Sequence, residues 1–400
     1  MPQPFLKLGA VGLGRAFTLM LPSFRADARV KLVAGTDPRP EAGAALASEF
    51  GARVHADVES LCADPEVDLV YIATPHQHHA EHVCIAALHG KHVLVEKPMA
   101  ITLDACRAMI EAAAAAGVHL IVGHSHSFDR PYLRARAIIE SGQLGAVRMI
   151  NAQYYTDFLY RPRRPAELDT AQGGGVIFSQ AAHQIDVVRL LAGGKVVSVR
   201  AHTGAWDAAR PTEGAFAALI GFEGGAFASV VYSGYGHFDG DEMCGWIGES
   251  GVAKNPAAYV SGRAKLAGVP DAATEAALKA ARSFGGSAYA PPVGDSVRQH
   301  QHFGHVLVSC DRGDIKPGPG SITVYGDADR TVEELPVSAV PRVEVIDEAY
   351  AAVVSGVPPL HDGAWSLATL EVCLAILESA RSGREVLLHH QVAPRPVRLA

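Results

Sequence analysis

The chain has 400 residues, 48% of them hydrophobic, enough to bury at least one large core and more readily two domains. Its 35 basic and 42 acidic residues give a formal charge of −7 and no basic block runs five residues, so the electrostatic footprint of a nucleic-acid binder is absent. Six scattered cysteines (62, 84, 106, 244, 310 and 373) form neither a C-x-x-C nor a tight pair, which argues for reduced thiols in a soluble, cytoplasmic protein.

The opening KLGAVGLGRAFTLMLPSFRADA has the lysine, apolar stretch and small-residue end of a secretory leader, but Arg15 interrupts it. No run reaches about 18 uninterrupted apolar residues, so no membrane span is expected. Runs at 6–12, 30–36, 68–74, 91–97 and 119–125 read as buried strands, and 38–51, 79–90 and 103–117 as helices that end on glycine. Such alternation implies right-handed crossovers and a doubly wound parallel sheet, a dinucleotide-binding domain over 1–125. From 126 the pattern changes. A helix (131–141), the run VRMINAQYY and a glycine-rich stretch with its helix lead into strand-rich sequence from 196, with a hairpin signal at EGG (223–225). The expectation for 126–400 is an α/β substrate-binding and oligomerisation domain built on a large, mostly antiparallel open sheet. Residues 252–300 show little periodicity and receive no assignment. Helices at 342–355 and 364–382 close the chain and are candidates to pack back on the first domain.

After the first strand comes Gly12-Leu13-Gly14-Arg15-Ala16-Phe17. In a Rossmann turn the first glycine permits the tight turn, the second admits a pyrophosphate, and the helix start at Arg15 and Ala16 offers N–H groups and a positive dipole end. Phe17 stands where a third glycine is usual. Asp37 closes the second strand, where a carboxylate accepts from ribose hydroxyls and favours NAD. It also precedes Pro38 as a potential N-cap, and Arg39 beside it leaves NADP open.

Two further stretches carry titratable groups. VLVEKPMA ends the strand at 91–97 with Glu96-Lys97-Pro98, and open α/β sheets place ligands at such ends. A lysine there can orient a hydroxyl and, if desolvated, act as a base. GGGVIFSQAAHQID (173–186) sets three glycines before an apolar helical run that carries His183 and Asp186.

TPHQHH (74–79), EKP, GGG…H, HSFDRPY (126–132), IIESGQLGAVRMI (138–150) and LEVCLAILESARSG (370–383) together resemble the Gfo/Idh/MocA family of oxidoreductases, over nearly the whole chain. The resemblance implies an NAD- or NADP-binding Rossmann domain and a second domain whose sheet forms the interface of a homodimer or homotetramer. It implies that Lys97 and His183 are the catalytic pair, that the peptide before Pro98 is cis, and that Thr74, Pro75, His76 and His79 lie by the nicotinamide side of the cofactor with Glu96 and Lys97. His183 is then a general acid/base. The family's aspartate four residues before this histidine is Ser179 here, which leaves the division of labour between Lys97 and His183 open. Asp186 is expected to cap or orient structure. The histidines at 76, 78 and 79, at 124 and 126, and at 300, 302 and 305 lack i, i+4 spacing with a carboxylate, so no metal is expected.

The stretches at 210–251 and 309–327, and GGGVIFSQAAH with its serine, resemble the phthalate 4,5-cis-dihydrodiol dehydrogenase branch of that family. The implied reaction oxidises one hydroxyl of a cis-dihydrodiol with NAD, and the product tautomerises to a catechol. A dicarboxylate substrate needs cations, which Arg161, Arg163 and Arg164 offer, with Ser179 and His183 completing the substrate set. Two other readings are a sugar, inositol or glycoside dehydrogenase and a regulator that senses NAD without chemistry.

Overall fold

A computed structural model describes residues 5–193, 195–257, 262–290 and 298–397. The chain divides into two compact units: Met1–His124 with Ala276–Val293 and Ser338–Leu367, and Ser125–Glu275 with Gly294–Val337 and Ala368–Ala400.

In the first unit, strand and helix alternate as β1 (Leu6–Val11), α1 (Arg15–Ala26), β2 (Val30–Thr36), α2 (Pro40–Phe50), β3 (Arg53–Val54), α3 (Val58–Cys62), β4 (Leu69–Ile72), α4 (His79–Leu88), β5 (His92–Val95), α5 (Leu103–Ala116) and β6 (Leu120–Val122). The strands pair in parallel in the order β3-β2-β1-β4-β5-β6. Every residue of β4 is buried, as a strand covered on both faces requires. The order reverses between β1 and β4, the switch point where such sheets bind ligands. Three details differ from the sequence reading. β3 and α3 are too short for periodicity to reveal. The strand expected over 91–97 stops at Val95, leaving Glu96 and Lys97 on the loop beyond it. And α2 starts at Pro40 with Arg39 as N-cap, so Asp37 does not cap it.

The second unit holds α6 (Arg130–Glu140), β7 (Val147–Tyr155), α7 (Ala182–Ala192), β8 (Val196–Gly204), β9 (Ala215–Phe222), β10 (Phe227–Ser233), α8 (Gly262–Leu266), and α9 (Ala272–Ala281), which runs across the division. β11 (His305–Cys310), β12 (Gly313–Pro317), β13 (Ser321–Gly326) and β14 (Arg330–Glu334) follow. α10 (Val343–Ser355) belongs to the first unit, α11 (Gly363–Ser382) crosses the division, and β15 (Val386–Leu387) returns to the second. Nine strands form a sheet in the order β14-β13-β12-β11-β7-β10-β9-β8-β15, with β7 and β10 parallel and the other pairs antiparallel. Period-two alternation sets its two faces. Ala228, Val230 and Tyr232 of β10 and Phe216, Ala218 and Ile220 of β9 are buried, while Val197, Leu219 and Phe227 are exposed. Helices α6 and α7 pack on this sheet.

α7 is buried along its length from Ala182 to Leu191, so its polar residues must be satisfied inside. Asp186 accepts from Thr369 Oγ1 at 2.8 Å and from Ser127 Oγ, and Arg189 donates to Thr369 Oγ1 at 2.6 Å, to Gln391 and to the Val392 carbonyl. Asp186 is thus held by hydroxyls within the second unit. α11 is long and apolar enough to cross a membrane by length and composition, but 67% of that window is buried within the protein.

Candidate active site

The first cluster forms where β1 meets α1. Gly12 has φ +85°, and a Cβ there would come within 3.0 Å of the Ala73 carbonyl carbon and oxygen, so the turn requires glycine. Gly14 differs: a Cβ on it would meet nothing within 4 Å. It is the N-cap of α1 and offers no side-chain cap, so open space lies against the first N–H groups of the helix. That is the cradle a pyrophosphate needs, and it fits a dinucleotide. Arg15 and Ala16 occupy the first turn, exposed and half-buried. Phe17, in the third glycine's place, is fully buried and packs edge-to-face on Phe284 at 5.3 Å.

Asp37 is more engaged than its position in the sequence suggests. Its carboxylate accepts from Leu13 N at 2.7 Å, Arg39 N at 2.9 Å, Arg39 Nε at 2.9 Å and Arg39 Nη2 at 3.1 Å. Those contacts fill the roughly four acceptor positions of a carboxylate. A ribose hydroxyl therefore has to take a place that Arg39 holds. Arg39 also donates to the Leu13 and Phe284 carbonyls, which fixes the guanidinium beside the glycine turn.

Next to Gly12, across the switch point, lies the loop after β4. Thr74 Oγ1 is 3.1 Å from His82 Nδ1, and Pro75 and His76 follow, half-buried. His79 does something other than face a ligand. Its ring is fully buried, with Nε2 at 2.9 Å from the Thr74 carbonyl and Nδ1 at 3.0 Å from the Pro98 carbonyl. It braces the loop after β4 to the loop after β5, and burial pushes its pKa down to about 4, against the pull of those carbonyls. Glu96 is likewise an anchor: buried, it accepts from Tyr71 Oη at 2.6 Å, and burial raises its pKa. Lys97 follows, half-buried, and the Lys97–Pro98 peptide is cis.

The second cluster, in the other unit, centres on α7. His183 is its second residue, 6% exposed. The turn before it, Ile177–Ala181, is a π-helix, a form common at functional sites, and it carries Ser179 half-buried. The glycines ahead of it serve close packing: a Cβ on Gly174 would lie 2.7 Å from the backbone of Ala166 and Glu167. They let the segment after the three arginines press against the start of this turn. Around His183 stand residues that no regular spacing pointed to. His126 lies with its ring centroid at 4.7 Å, and Phe303 packs at 5.0 Å from both rings. His126 Nδ1 is 2.5 Å from Asp129 Oδ2, and its Nε2 is 3.7 Å from Glu249 Oε1. Tyr232 stacks on Phe303 at 6.1 Å and donates to Gln180 Oε1 at 3.1 Å. The histidine-rich HSHSFD stretch was the one available signal.

The three arginines separate. Arg164 is 48% exposed and pairs with Glu167 at 3.2 Å. Arg161 is 45% exposed, 3.3 Å from Asp157 and 3.6 Å from Glu249. Burial works against its charge, but Glu249, Tyr232 and Asp157 outweigh that and raise its pKa. Arg163 is 11% exposed, with its guanidinium 3.6 Å over the Phe158 ring. Its Nη2 donates to the Phe158 carbonyl at 2.7 Å, its Nε is buried without a hydrogen-bond partner, and its ion pair to Glu167 is long at 3.8 Å. Burial pushes its pKa down to about 10.

Residues 262–275 of the unassigned stretch buttress this loop. Glu275 accepts from Arg163 N at 2.6 Å and from Arg210 Nη1 at 2.8 Å. Arg263 lies 3.7 Å over the Tyr160 ring, and Gly262 N donates to Asp157 at 2.9 Å.

Residues 6–124 match a family model described as an oxidoreductase family with an NAD-binding Rossmann fold, GFO_IDH_MocA, and residues 132–254 match the GFO/IDH/MocA C-terminal domain. The chain is similar to 1-carboxy-3-chloro-3,4-dihydroxycyclo hexa-1,5-diene dehydrogenase of Comamonas testosteroni, 49% identical over 94% of this chain and 95% of that protein. It is 32% identical to inositol 2-dehydrogenase 2 of Saccharopolyspora erythraea, over 64% of this chain and 76% of that one. A crystal structure from Bordetella bronchiseptica RB50 superposes with a TM-score of 0.89 at 43% identity, covering 96% of this chain and 100% of that one.

Proposed function

The chain belongs to the Gfo/Idh/MocA oxidoreductase family, and we propose that, as an NAD-dependent dehydrogenase, it oxidises one hydroxyl of a cyclic cis-dihydrodiol that carries a carboxylate. NAD, when bound, accepts the hydride from the carbinol carbon. The hydroxyl proton leaves to a protein base, and the resulting enone tautomerises to a catechol, which drives the reaction forward. The relative from Comamonas testosteroni acts, by its name, on a diene diol with one carboxylate, which supports this substrate class.

The residues divide by task. Gly12, Gly14, Arg15 and Ala16 would hold the pyrophosphate, with Asp37 and Arg39 at the adenosine end. Thr74, Pro75 and His76 line the approach to the nicotinamide, while His79 and Glu96 keep the loops around Lys97 in shape. Lys97 orients the hydroxyl and His183 exchanges its proton. Residues 1–125, with 276–293 and 338–367 in the same unit, serve the cofactor and the rest of 126–400 the substrate, in a cytoplasmic homo-oligomer joined through the exposed face of the second sheet.

The observation that carries the substrate class is Arg163. A buried guanidinium with a bare Nε and only a distant carboxylate is costly unless an anion reaches it. A ring carboxylate suits its planar fork. Arg161 is the second cation, and Arg164 serves as the control. Losing a charge-assisted hydrogen bond costs about 1.5–3 kcal/mol, so Arg163→Ala should lower kcat/KM for a carboxylated cis-dihydrodiol by roughly ten- to a hundred-fold. Steady-state rates on the same diol without its carboxylate should hardly change, and Arg164→Ala should leave both substrates alone. Equal losses on both diols would remove Arg163 from the substrate site.

A further inference from the structure

We propose that His126, held as an imidazolium between Asp129 and Glu249, is the positioning residue that keeps His183 in its neutral, proton-accepting form. The inference rests on the reading of His183 as the group that takes the substrate proton. Its physical basis is a pair of buried rings 4.7 Å apart, of which one has a carboxylate at each nitrogen. A histidine placed between two carboxylates is stabilised as a cation. Burial opposes that charge, and Asp129 and Glu249 overcome it, so the His126 pKa is raised.

Other groups also face His126, and buried His124 brings a ring nitrogen within 4.8 Å of both His126 and Asp129. On its own turn stands Asp129, with Tyr132 and His300 among that carboxylate's neighbours. On α7, besides His183, Asp186 is spent on Ser127 and Thr369. From the strand-preceding segment, His302 accepts from Gly304 N at Nδ1, so its Nε2–H donates to the Ile247 carbonyl and the ring is neutral. Glu249 is shared with Arg161 at 3.6 Å. The ring 4.7 Å from His183 is therefore a cation, and a second positive charge so close disfavours protonation of His183.

This accounts for Ser179. An aspartate at that position would favour the charged form of His183. With a serine there and an imidazolium on the other side, the balance tips the opposite way, towards a histidine that accepts a proton and then gives it up readily.

The test is histidine ¹⁵N NMR titration of the full-length protein, beside the pH dependence of kcat/KM. In the wild type, His126 should be cationic through neutral pH. In His126→Gln the His183 midpoint should rise by about one unit or more, and the acid limb of kcat/KM should move with it. Glu249→Gln, a milder change at a partly exposed site, should lower the His126 midpoint. A neutral His126 at neutral pH, an unmoved His183 midpoint in His126→Gln, or an unmoved His126 midpoint in Glu249→Gln would each overturn the proposal. If the NMR midpoint of His183 rises while the kinetic limb stays, the His126 proposal stands and the assignment of His183 as the base fails.

Discussion

Gly12 and Gly14 are two residues apart in one motif, yet the structure gives them different tolerances. Gly12 sits at positive φ against the Ala73 carbonyl, so Gly12→Ala should cost about 1–3 kcal/mol of stability. Gly14 has an ordinary φ of −81° and open space, so Gly14→Ala should fold with unchanged stability. Its methyl would stand where the pyrophosphate approaches, and NAD affinity should fall by at least about ten-fold. Thermal unfolding and titration calorimetry on the two variants check this; equal NAD binding by Gly14→Ala and wild type would move the phosphate site elsewhere. The positions of these glycines and of Asp37, Lys97 and His183 were legible because motifs fix the chain locally. What Asp37, His79 and Glu96 do was not. Asp37 is engaged by the backbone of distant Leu13 as well as by neighbouring Arg39, His79 by the Thr74 and Pro98 carbonyls, and Glu96 by Tyr71.

Among elements, strands and amphipathic helices declared themselves by period, and β7 and α6 fall within a residue of expectation. Stretch 252–300 did not, because its first described helix is a single turn and its contribution to the second unit is polar. Glu275 on α9 shows what periodicity cannot carry. It ties the arginine loop through Arg163 N and neutralises Arg210, with both side chains of the ion pair 10% exposed. Glu275→Gln leaves the Arg210 charge buried without its counter-ion, so stability should drop by about 3 kcal/mol. Chemical denaturation measures that loss, and a change under 1 kcal/mol would mean the pair is not holding the loop. His126 escaped the sequence for a related reason: its approach to His183 joins segments 57 residues apart, and only the packing of α7 brings them together.

At the scale of the whole molecule, histidines buried in the neutral form contribute to how the fold responds to acid. His79 has its pKa lowered by burial from 6.5 to about 4, and burial also lowers that of His302. A histidine that stays neutral when folded but can protonate when unfolded stabilises the fold fully above the unfolded pKa. That contribution is lost as pH falls from about 6.5 towards 4 for His79, up to about 3 kcal/mol. Stability should therefore decline across that window, and His79→Asn should flatten the decline, read as the denaturation midpoint against pH; an unchanged slope would show His79 to be charged in the fold. The two-sheet architecture was legible from the alternation of strands and helices, and the family from a few short motifs. Substrate class rests on a buried cation, Arg163, and on a relative that acts on a carboxylated diene diol by its name. The most direct measurement is the initial rate of NADH formation by the full-length protein across four substrates: a carboxylated cis-dihydrodiol, the same diol without carboxylate, an inositol and a simple glycoside. The account predicts the highest kcat/KM for the carboxylated diol, with a catechol as product. Faster turnover of the inositol or the glycoside, or no preference between the two diols, would contradict it.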